Sequence, residues 1–396
     1  MNGLILTAGG ARGAYQAGVL KRVGEMPALK HRPLPFPIIT GASAGAINGA
    51  GLAAGASDFT ETTRRLADLW ANIKMSEVFR FDLVSLGGIA AQWIKDLSFG
   101  GLVGGGTAES LLDATPLRDL LLKHIPFDQI QAGIDHGHLF ALAVTATNYY
   151  SGKSYTFIQG KEGHARWERS RRLALSVRIE VEHILASAAI PLVFPPVKVR
   201  ADFGDYYYGD GALRLTNPCS PAIRLGAERI FAIGIRSQET AEVSSRGALS
   251  QSRDPEAPPV MRRPPVLAQI LGVTLNAIFL DHLDADLDHL VRMNELIANA
   301  TFGTTDGARM RVVAPLAIYP SVDLGKLAED FSAGLPLPVR YLLDGLGASR
   351  SDSSDLMSYL MFDPGYTRAL LDIGYRDASA RADEIEAFLK AGLQRS

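Results

Sequence analysis

Short apolar runs, glycine-rich turns and helically spaced apolar residues follow one another near the start of the chain. Residues 3–7 are an apolar run, residues 8–13 contain three glycines, and residues 14–23 have the apolar spacing of a helix. The same order of strand, tight turn and helix recurs over residues 36–54. Two such units in succession predict an α/β protein with a mostly parallel sheet and helices on its faces.

The rest of the chain shows a mixture of strand and helix patterns. Asp58 and Glu61 have the spacing of a capping box, and the apolar residues from Leu66 to Ile73 have helical periodicity. Further strands are predicted at residues 139–145, 155–159, 206–208, 230–235 and 310–313, and further helices at 183–189, 266–297, 355–359 and 382–389. Residues 83–106 mix glycine with large apolar side chains, which fits either an apolar flap or a surface loop.

The composition of the chain changes most clearly over residues 237–263. Serine, glutamate, arginine and proline dominate there, and almost nothing is apolar. The sequence therefore predicts a core over residues 1–236, a flexible linker or insert over 237–263, and a mostly helical extension over 264–396 that packs on the core.

Composition and charge exclude several classes of protein. The 396 residues are 47% hydrophobic and 21% charged, which excludes intrinsic disorder. The 40 Lys and Arg against 42 Asp and Glu give a net charge of −2, so no nucleic acid is expected as the main partner. With a single cysteine, Cys219, and no basic and apolar signal segment at the N-terminus, we expect a cytoplasmic protein.

An uncharged stretch over residues 33–57 imitates a membrane-spanning segment. Gly41, Gly45 and Gly49 have the small-residue spacing of paired membrane helices. The stretch is also rich in alanine and glycine and has three prolines near its start, so its transfer into a bilayer is unfavourable. No membrane span is predicted.

The sharpest chemical signal is Gly41-Ala42-Ser43-Ala44-Gly45, a G-x-S-x-G sequence between a predicted strand and a predicted helix. A nucleophilic serine needs a sharp elbow that projects its oxygen beyond the sheet, and flanking glycines remove side chains that would collide there. The helix that follows adds positive potential where an oxyanion would form. Because glycine and alanine are also ordinary helix-packing residues, a purely structural role stays open.

A second signal is the glycine-rich turn Ala8-Gly9-Gly10-Ala11-Arg12-Gly13. Consecutive backbone N–H groups in such a turn suit a phosphate or a tetrahedral oxyanion equally well. A dinucleotide site expects an acidic residue about 20 positions further on, and residues 29–37 contain none. A P-loop expects Lys and then Ser or Thr after its last glycine, where this chain has Ala14. A nucleotide-binding α/β protein stays open as an alternative that the spacing disfavours.

The third signal is Asp210, in Gly209-Asp210-Gly211-Ala212 after a predicted strand. A serine nucleophile needs a proton acceptor within hydrogen-bond reach. None of the eight histidines lies in the final 107 residues, where a Ser-Asp-His hydrolase would normally have its own. A carboxylate base is therefore considered, and Asp210 is preferred to Asp202 and Asp205 because only Asp210 opens an Asp-Gly turn. The alternative is a structural aspartate whose side chain only accepts hydrogen bonds from the backbone of its own turn.

Residues 281–289 contain four aspartates and two histidines, which invites comparison with a metal site. They occupy successive helical positions beside Leu283 and Leu287, so we expect a solvated helix face. Neither a metal nor a cofactor is predicted, and Cys219 is expected to be a small buried hydrophobic residue.

With these three turns in this order, the chain resembles the patatin-like phospholipases of the bacterial type. That family has a glycine-rich oxyanion turn with Arg or Lys, then G-x-S-x-G, then an Asp-Gly motif. Further segments are similar to the family's intervening and trailing ones: Ala186-Ser187-Ala188-Ala189-Ile190-Pro191 with Phe194-Pro195-Pro196, and Asn217-Pro218. The resemblance covers about residues 3–221. Ala8 and Ala212 depart from it, because many members have glycine at both positions.

The resemblance implies a role for each of the three turns. Ser43 would be the nucleophile, held at an elbow by Gly41 and Gly45, and Asp210 would be its base without a histidine. The backbone N–H groups around Gly9, Gly10 and Ala11 would form the oxyanion hole, and Arg12 would anchor that turn.

The resemblance further implies a three-layer α/β/α fold and a serine acyl hydrolase that cleaves carboxylic esters of lipids. Such an enzyme is expected to work at a membrane or micelle surface, as a cytoplasmic or peripherally attached protein. Residues 83–103 and 266–280 are the candidates for this contact. The oligomeric state is not predicted. A patatin-fold scaffold that binds membranes or partners without catalysis is the second alternative that stays open.

Overall fold

The described residues form a ten-stranded mixed sheet at the centre of the fold. The structure is a computed structural model and describes residues 1–80, 110, 112–201, 204–237, 267–279, 282–299, 311–340 and 354–393. The strands are β1 (Asn2–Leu6), β2 (Ile38–Gly41), β3 (Ala141–Asn148), β4 (Ser154–Gly160), β5 (Glu168–Arg169), β6 (Arg172–Ser176), β7 (Val197–Ala201), β8 (Gly204–Gly209), β9 (Arg229–Ile233) and β10 (Ala314–Ile318).

Helices connect these strands and cover both faces of the sheet. In chain order they are α1 (Gly13–Gly24), α2 (Ala44–Ala54), α3 (Phe59–Asn72), α4 (Thr115–His124), α5 (Gln129–Asp135), α6 (Val181–Ser187), α7 (Cys219–Arg224), α8 (Leu267–Phe279), α9 (His282–Asn299), α10 (Leu324–Glu329), α11 (Ser354–Leu360), α12 (Pro364–Ala380) and α13 (Ala382–Leu393). Asp58 caps α3 by accepting a hydrogen bond from the N–H of Glu61, at the predicted N-terminus of that helix.

The order of the strands is β10-β9-β1-β2-β3-β4-β6-β5, and β8 pairs with the end of β3 and with β7. The five strands from β10 to β3 are all parallel, because helical crossovers connect them. Antiparallel pairs appear beyond β3, where turns connect neighbouring strands. The predicted α/β class with a mostly parallel central sheet is confirmed for this parallel half, and the other half is mixed.

The central strands are buried on both faces, which makes the fold three layers deep. In β1, Leu4 and Leu6 pack in the same cluster as residues of α1 and α2, whereas Ile5 faces the opposite cluster. That second cluster contains Cys219 of α7 and Leu287 of α9. Strands covered by helices on both faces have continuous apolar sequences, so the three-layer α/β/α prediction is confirmed.

The part of the chain after residue 264 contributes to the same core. β10 pairs with β9 at the edge of the parallel strands. α12 packs along α1, where the hydroxyl of Tyr15 donates to Asp377 at 3.1 Å. The predicted helix over residues 266–297 is two helices, α8 and α9, and the predicted return of residues 310–313 to the sheet occurs four residues later, at β10.

Several sequence predictions concern residues outside the described ranges. The flap or loop at residues 83–106 lies there, and so does all but the first residue of the linker at 237–263. Residues 33–57 contain β2 and α2 of the core, where no membrane span was predicted. Among the described helices, none combines the length and the apolar character that crossing a membrane requires.

Candidate active site

Ser43 lies at a sharp turn between β2 and α2, beyond the carboxyl end of a central parallel strand. Its φ of 53° and ψ of −124° are unusual for a residue with a side chain, and such strain is typical of functional turns. The N–H of Gly45 donates to the carbonyl of Ala42 at 2.9 Å and closes the turn. A Cβ at Gly45 would lie 2.1 Å from the carbonyl oxygen of Leu6, so only glycine fits there.

Ser187, at the end of α6, supports this elbow from the other side. Its Oγ accepts a hydrogen bond from the backbone N–H of Ser43 at 2.9 Å and donates to the carbonyl of Thr145 at 2.6 Å. Ser187 is fully buried. The sequence pattern places Ser187 in a family-like segment and gives it no role, because its contact with Ser43 joins residues 144 positions apart.

Asp210 follows β8 and is fully buried beside the elbow. Its backbone N–H donates to the carbonyl of Ala189 at 2.8 Å, and its carbonyl accepts from the hydroxyl of Thr147 at 2.8 Å. The carboxylate Oδ1 accepts from the N–H of Ala212 at 2.9 Å. Oδ2 is buried and has no partner with hydrogen-bond geometry among the described residues. The backbone thus fixes the residue and leaves one carboxylate oxygen for another group.

The chemistry of Asp210 follows from its burial. Loss of hydration raises its pKa from the ordinary value of 3.8 to about 7, although the nearby Ser43 hydroxyl and the N–H of Ala212 act in the opposite direction. A carboxylate with a pKa near 7 is a far stronger base than an exposed one. The structure therefore brings together a buried hydroxyl and a buried carboxylate suited to accept its proton.

The glycine-rich turn lies next to this pair. Gly10 and Ser43 line the same cavity. Gly10 has a φ of +54°, and a 3₁₀ turn over Gly10–Arg12 leads into α1. The N–H of Arg12 donates to the carbonyl of Gly9 at 3.1 Å, whereas the N–H groups of Gly10 and Ala11 have no acceptor among the described residues. Two free donors at a helix start suit an anion or a developing oxyanion.

The two departures from the family pattern leave the backbone in ordinary conformations. Neither Ala8 nor Ala212 has a positive φ. Neither position therefore requires glycine for its backbone conformation.

The cavity at Ser43 is narrow and apolar. Its exposed lining atoms are apolar, and aliphatic and aromatic side chains from α2, α3, α4, the segment before β7 and the connection between α11 and α12 surround it. Among them are Ile47, Leu69, Leu117, Leu121, Phe194 and Phe362. None of the eight histidines lines this cavity. With a volume of about 30 Å³, the cavity has room for only a few carbon atoms, and its apolar lining suits the first methylene groups of an acyl chain next to the serine oxygen.

The other candidate residues lie apart from this site. Asp205, the second choice for the base, is exposed at the start of β8 and pairs with Lys198 at 2.8 Å; Asp202 lies outside the described residues. Cys219 is buried as expected, and burial raises the pKa of its thiol.

The acidic run on α9 was expected to face solvent, and this is wrong for Asp286. Its carboxylate is buried and accepts from Asn217 at 3.0 Å and from the N–H of Cys219 at 2.8 Å, because α9 packs on α7. Within the described part of the chain, no group of three or more His, Cys, Asp or Glu side chains is arranged to hold a metal ion.

Comparison with known proteins gives a family match and distant structural likenesses. Residues 4–223 match the family model described as patatin-like phospholipase. Comparison with curated protein sequences gives no match.

Two solved structures illustrate the structural likeness. VipD from Legionella pneumophila is 14% identical over 91% of this chain and 66% of its own, with a TM-score of 0.34. Human GIVD cytosolic phospholipase A2, in complex with methyl gamma-linolenyl fluorophosphonate, is 14% identical over 100% of this chain and 59% of its own, with a TM-score of 0.42. The chain thus spans less than two thirds of the length of either protein.

Proposed function

The chain belongs to the patatin-like phospholipase family, and from this premise we propose that it is a serine acyl hydrolase that cleaves carboxylic esters of lipids. Ser43 is the nucleophile and Asp210 is its base, and an acyl-enzyme is the intermediate. The observation that carries the proposal is the buried carboxylate of Asp210 beside the Ser43 hydroxyl, with one carboxylate oxygen free of other hydrogen bonds.

The first half-reaction forms the acyl-enzyme. Asp210 takes the hydroxyl proton while the oxygen of Ser43 attacks the ester carbonyl carbon, and the carbonyl electron pair moves onto its oxygen. The N–H groups of Gly10 and Ala11 donate to this oxyanion. When the carbonyl re-forms, the C–O bond to the alcohol breaks, and the alcohol leaves with the proton from Asp210.

The second half-reaction uses the same groups with water. Asp210 takes a proton from water as the water oxygen attacks the acyl carbon, and the oxyanion forms again at the glycine-rich turn. The bond to Ser43 then breaks, the proton returns to the serine oxygen, and the fatty acid leaves. Because no histidine is used, the rate depends on the raised pKa of Asp210 and on the fixed geometry of the pair.

The substrate class is proposed from the cavity and from the family. The apolar lining at the nucleophile suits the carbons of an acyl group next to the ester carbonyl, and the family model describes phospholipases. Long-chain lipids are seldom free in water, so we propose that the enzyme works in the cytoplasm at a membrane or micelle surface. Residues 1–236 would be the catalytic core and residues 264–396 an extension packed on it, joined by residues 237–263.

The test is product analysis on phospholipids, neutral lipids and short p-nitrophenyl esters. Wild type should release fatty acid, and Ser43→Ala and Asp210→Asn should lose at least about 10³-fold in kcat. Asp205→Asn, at the exposed start of β8, is the matched control and should keep full activity. Labelling by a fluorophosphonate should require Ser43. Hydrolysis that survives both substitutions in a folded protein would refute the dyad.

A further inference from the structure

The glycine-rich turn is held by a helix that lies outside the matched family region. The side chain of Arg12, only 3% exposed, extends from the turn to α11. Its Nη2 donates to Asp355 Oδ1 and to Ser358 Oγ, both at 2.6 Å, and its Nε donates to Ser358 Oγ at 2.9 Å. The guanidinium carbon lies 4.4 Å from the centre of the Tyr359 ring. One side chain therefore joins the start of the chain to residues more than 340 positions later.

Other helices of the extension fix the partners of Arg12. Asn276 of α8 donates to the second carboxylate oxygen of Asp355 at 2.6 Å and accepts from the hydroxyl of Tyr359 at 2.8 Å. Gly325 of α10 lies against the ion pair, since a Cβ there would be 2.6 Å from Asp355 Oδ1. The Arg12–Asp355 pair thus contacts three helices that all follow residue 264; the Arg12 side chain is buried there, and the Asp355 side chain is 38% exposed.

α11 also touches the backbone of the turn. A Cβ at Gly10 would lie 2.3 Å from the carbonyl oxygen of Tyr359, so the turn and the helix are in direct contact. Arg12 does not line the cavity at Ser43, because its donors point to α11. Any displacement of α11 would therefore move Gly10, which does line that cavity.

We propose that Asp355 and Ser358 of α11 are positioning residues: they hold the Arg12 side chain that anchors the glycine-rich turn, and so aim the N–H groups of Gly10 and Ala11 at the reacting carbonyl. In this arrangement the C-terminal extension is part of the catalytic unit. The inference rests on the proposed function of the glycine-rich turn as the oxyanion hole. Donors that are held in place in advance stabilise an oxyanion without reorganisation, and a misplacement of about 1 Å costs about 100-fold in rate.

The test compares variants of the clamp with a matched variant elsewhere in the extension. Asp355→Asn and Ser358→Ala remove the charge and the acceptor that hold Arg12. Asp363→Ala is the control, because Asp363 caps α12 through the N–H groups of Gly365 and Tyr366 and does not contact Arg12. The full-length protein is used throughout, with a short p-nitrophenyl ester as the substrate and thermal unfolding as the measure of stability.

The two clamp variants should lower kcat about 10- to 100-fold and leave KM within about twofold, since the turn acts on the transition state. Asp363→Ala should lower the melting temperature while kcat stays near wild type. A second readout does not need activity: hydrogen exchange of the backbone amides of residues 8–13 should become faster in the clamp variants and not in the control.

Unchanged kcat and unchanged exchange in both clamp variants would overturn the inference, and so would an equal loss of kcat in Asp363→Ala. If wild type hydrolyses no ester, the proposed function fails, while the exchange measurement still decides whether α11 holds the turn. Faster exchange in the clamp variants then supports the clamp, and unchanged exchange refutes it.

Discussion

Replacing Asp210 by asparagine is expected to abolish hydrolysis and, at the same time, to stabilise the protein at alkaline pH. The carboxyl is fully buried, and burial raises its pKa from 3.8 to about 7. A folded-state pKa above the unfolded value means that the folded protein binds the proton more tightly. The stability that this group contributes is therefore complete below pH 4 and is lost as the pH rises through 7.

The size of the effect follows from the shift in pKa. About three pKa units correspond to about 4 kcal/mol, which is the cost of keeping the ionised carboxylate buried above pH 7. At pH 5 only about 1–2 kcal/mol of this cost has appeared. Asparagine carries no charge at either pH, so the stability gain of the variant over wild type should widen by about 2–3 kcal/mol from pH 5 to pH 8. Constant effects of the amide cancel in this difference.

The assay is urea unfolding of both proteins at pH 5 and pH 8, followed by intrinsic fluorescence. Asp205→Asn is the control, because Asp205 lies at the other end of the same strand. Its exposed carboxylate pairs with Lys198, which lowers the pKa of Asp205. The stability of this variant relative to wild type should therefore not increase from pH 5 to pH 8. In wild type, log kcat/KM should rise with pH and level off near pH 7, because the base must be ionised. The assignment of the raised pKa to a buried catalytic base would be refuted if the difference in the free energy of unfolding between Asp210→Asn and wild type were the same at pH 5 and pH 8. It would also be refuted if kcat/KM had already reached its plateau at pH 5.

Further predictions concern the elbow and the cavity. Ser43→Gly should abolish hydrolysis and stabilise the fold by about 1–2 kcal/mol in thermal unfolding, because glycine adopts the strained φ of 53° without cost. Gly45→Ala should prevent folding or lower stability by more than about 3 kcal/mol, as judged by soluble yield and circular dichroism, since its Cβ would collide with the carbonyl of Leu6. Ser187→Ala should cost about 1–3 kcal/mol and lower kcat, measured by unfolding and ester hydrolysis, because the N–H of Ser43 loses its acceptor. Leu121→Trp should reduce turnover of long acyl chains more than of acetyl or butyryl esters, as the larger ring fills the cavity beside Ser43.

Local patterns in the chain were sufficient to predict the elements that carry the site. Strand and helix periodicity predicted β1, α1, β2 and α2 to within about two residues. Glycines at the turns indicated where backbone would have to bend sharply, and Ser43 and Asp210 both lie at such bends. These features are local, because each depends on a few consecutive residues and on the period of the side chains along them.

Tertiary structure decided what surrounds those bends. The burial that raises the pKa of Asp210, the support of Ser43 by Ser187, and the hold of Asp355 on Arg12 all join segments far apart in the chain. The buried position of Asp286 has the same origin, since it depends on how α9 packs against α7. Hydrogen bonds and desolvation at these sites depend on which helices and strands meet in three dimensions. The spacing of residues within one segment carries no information about which distant segment will pack against it.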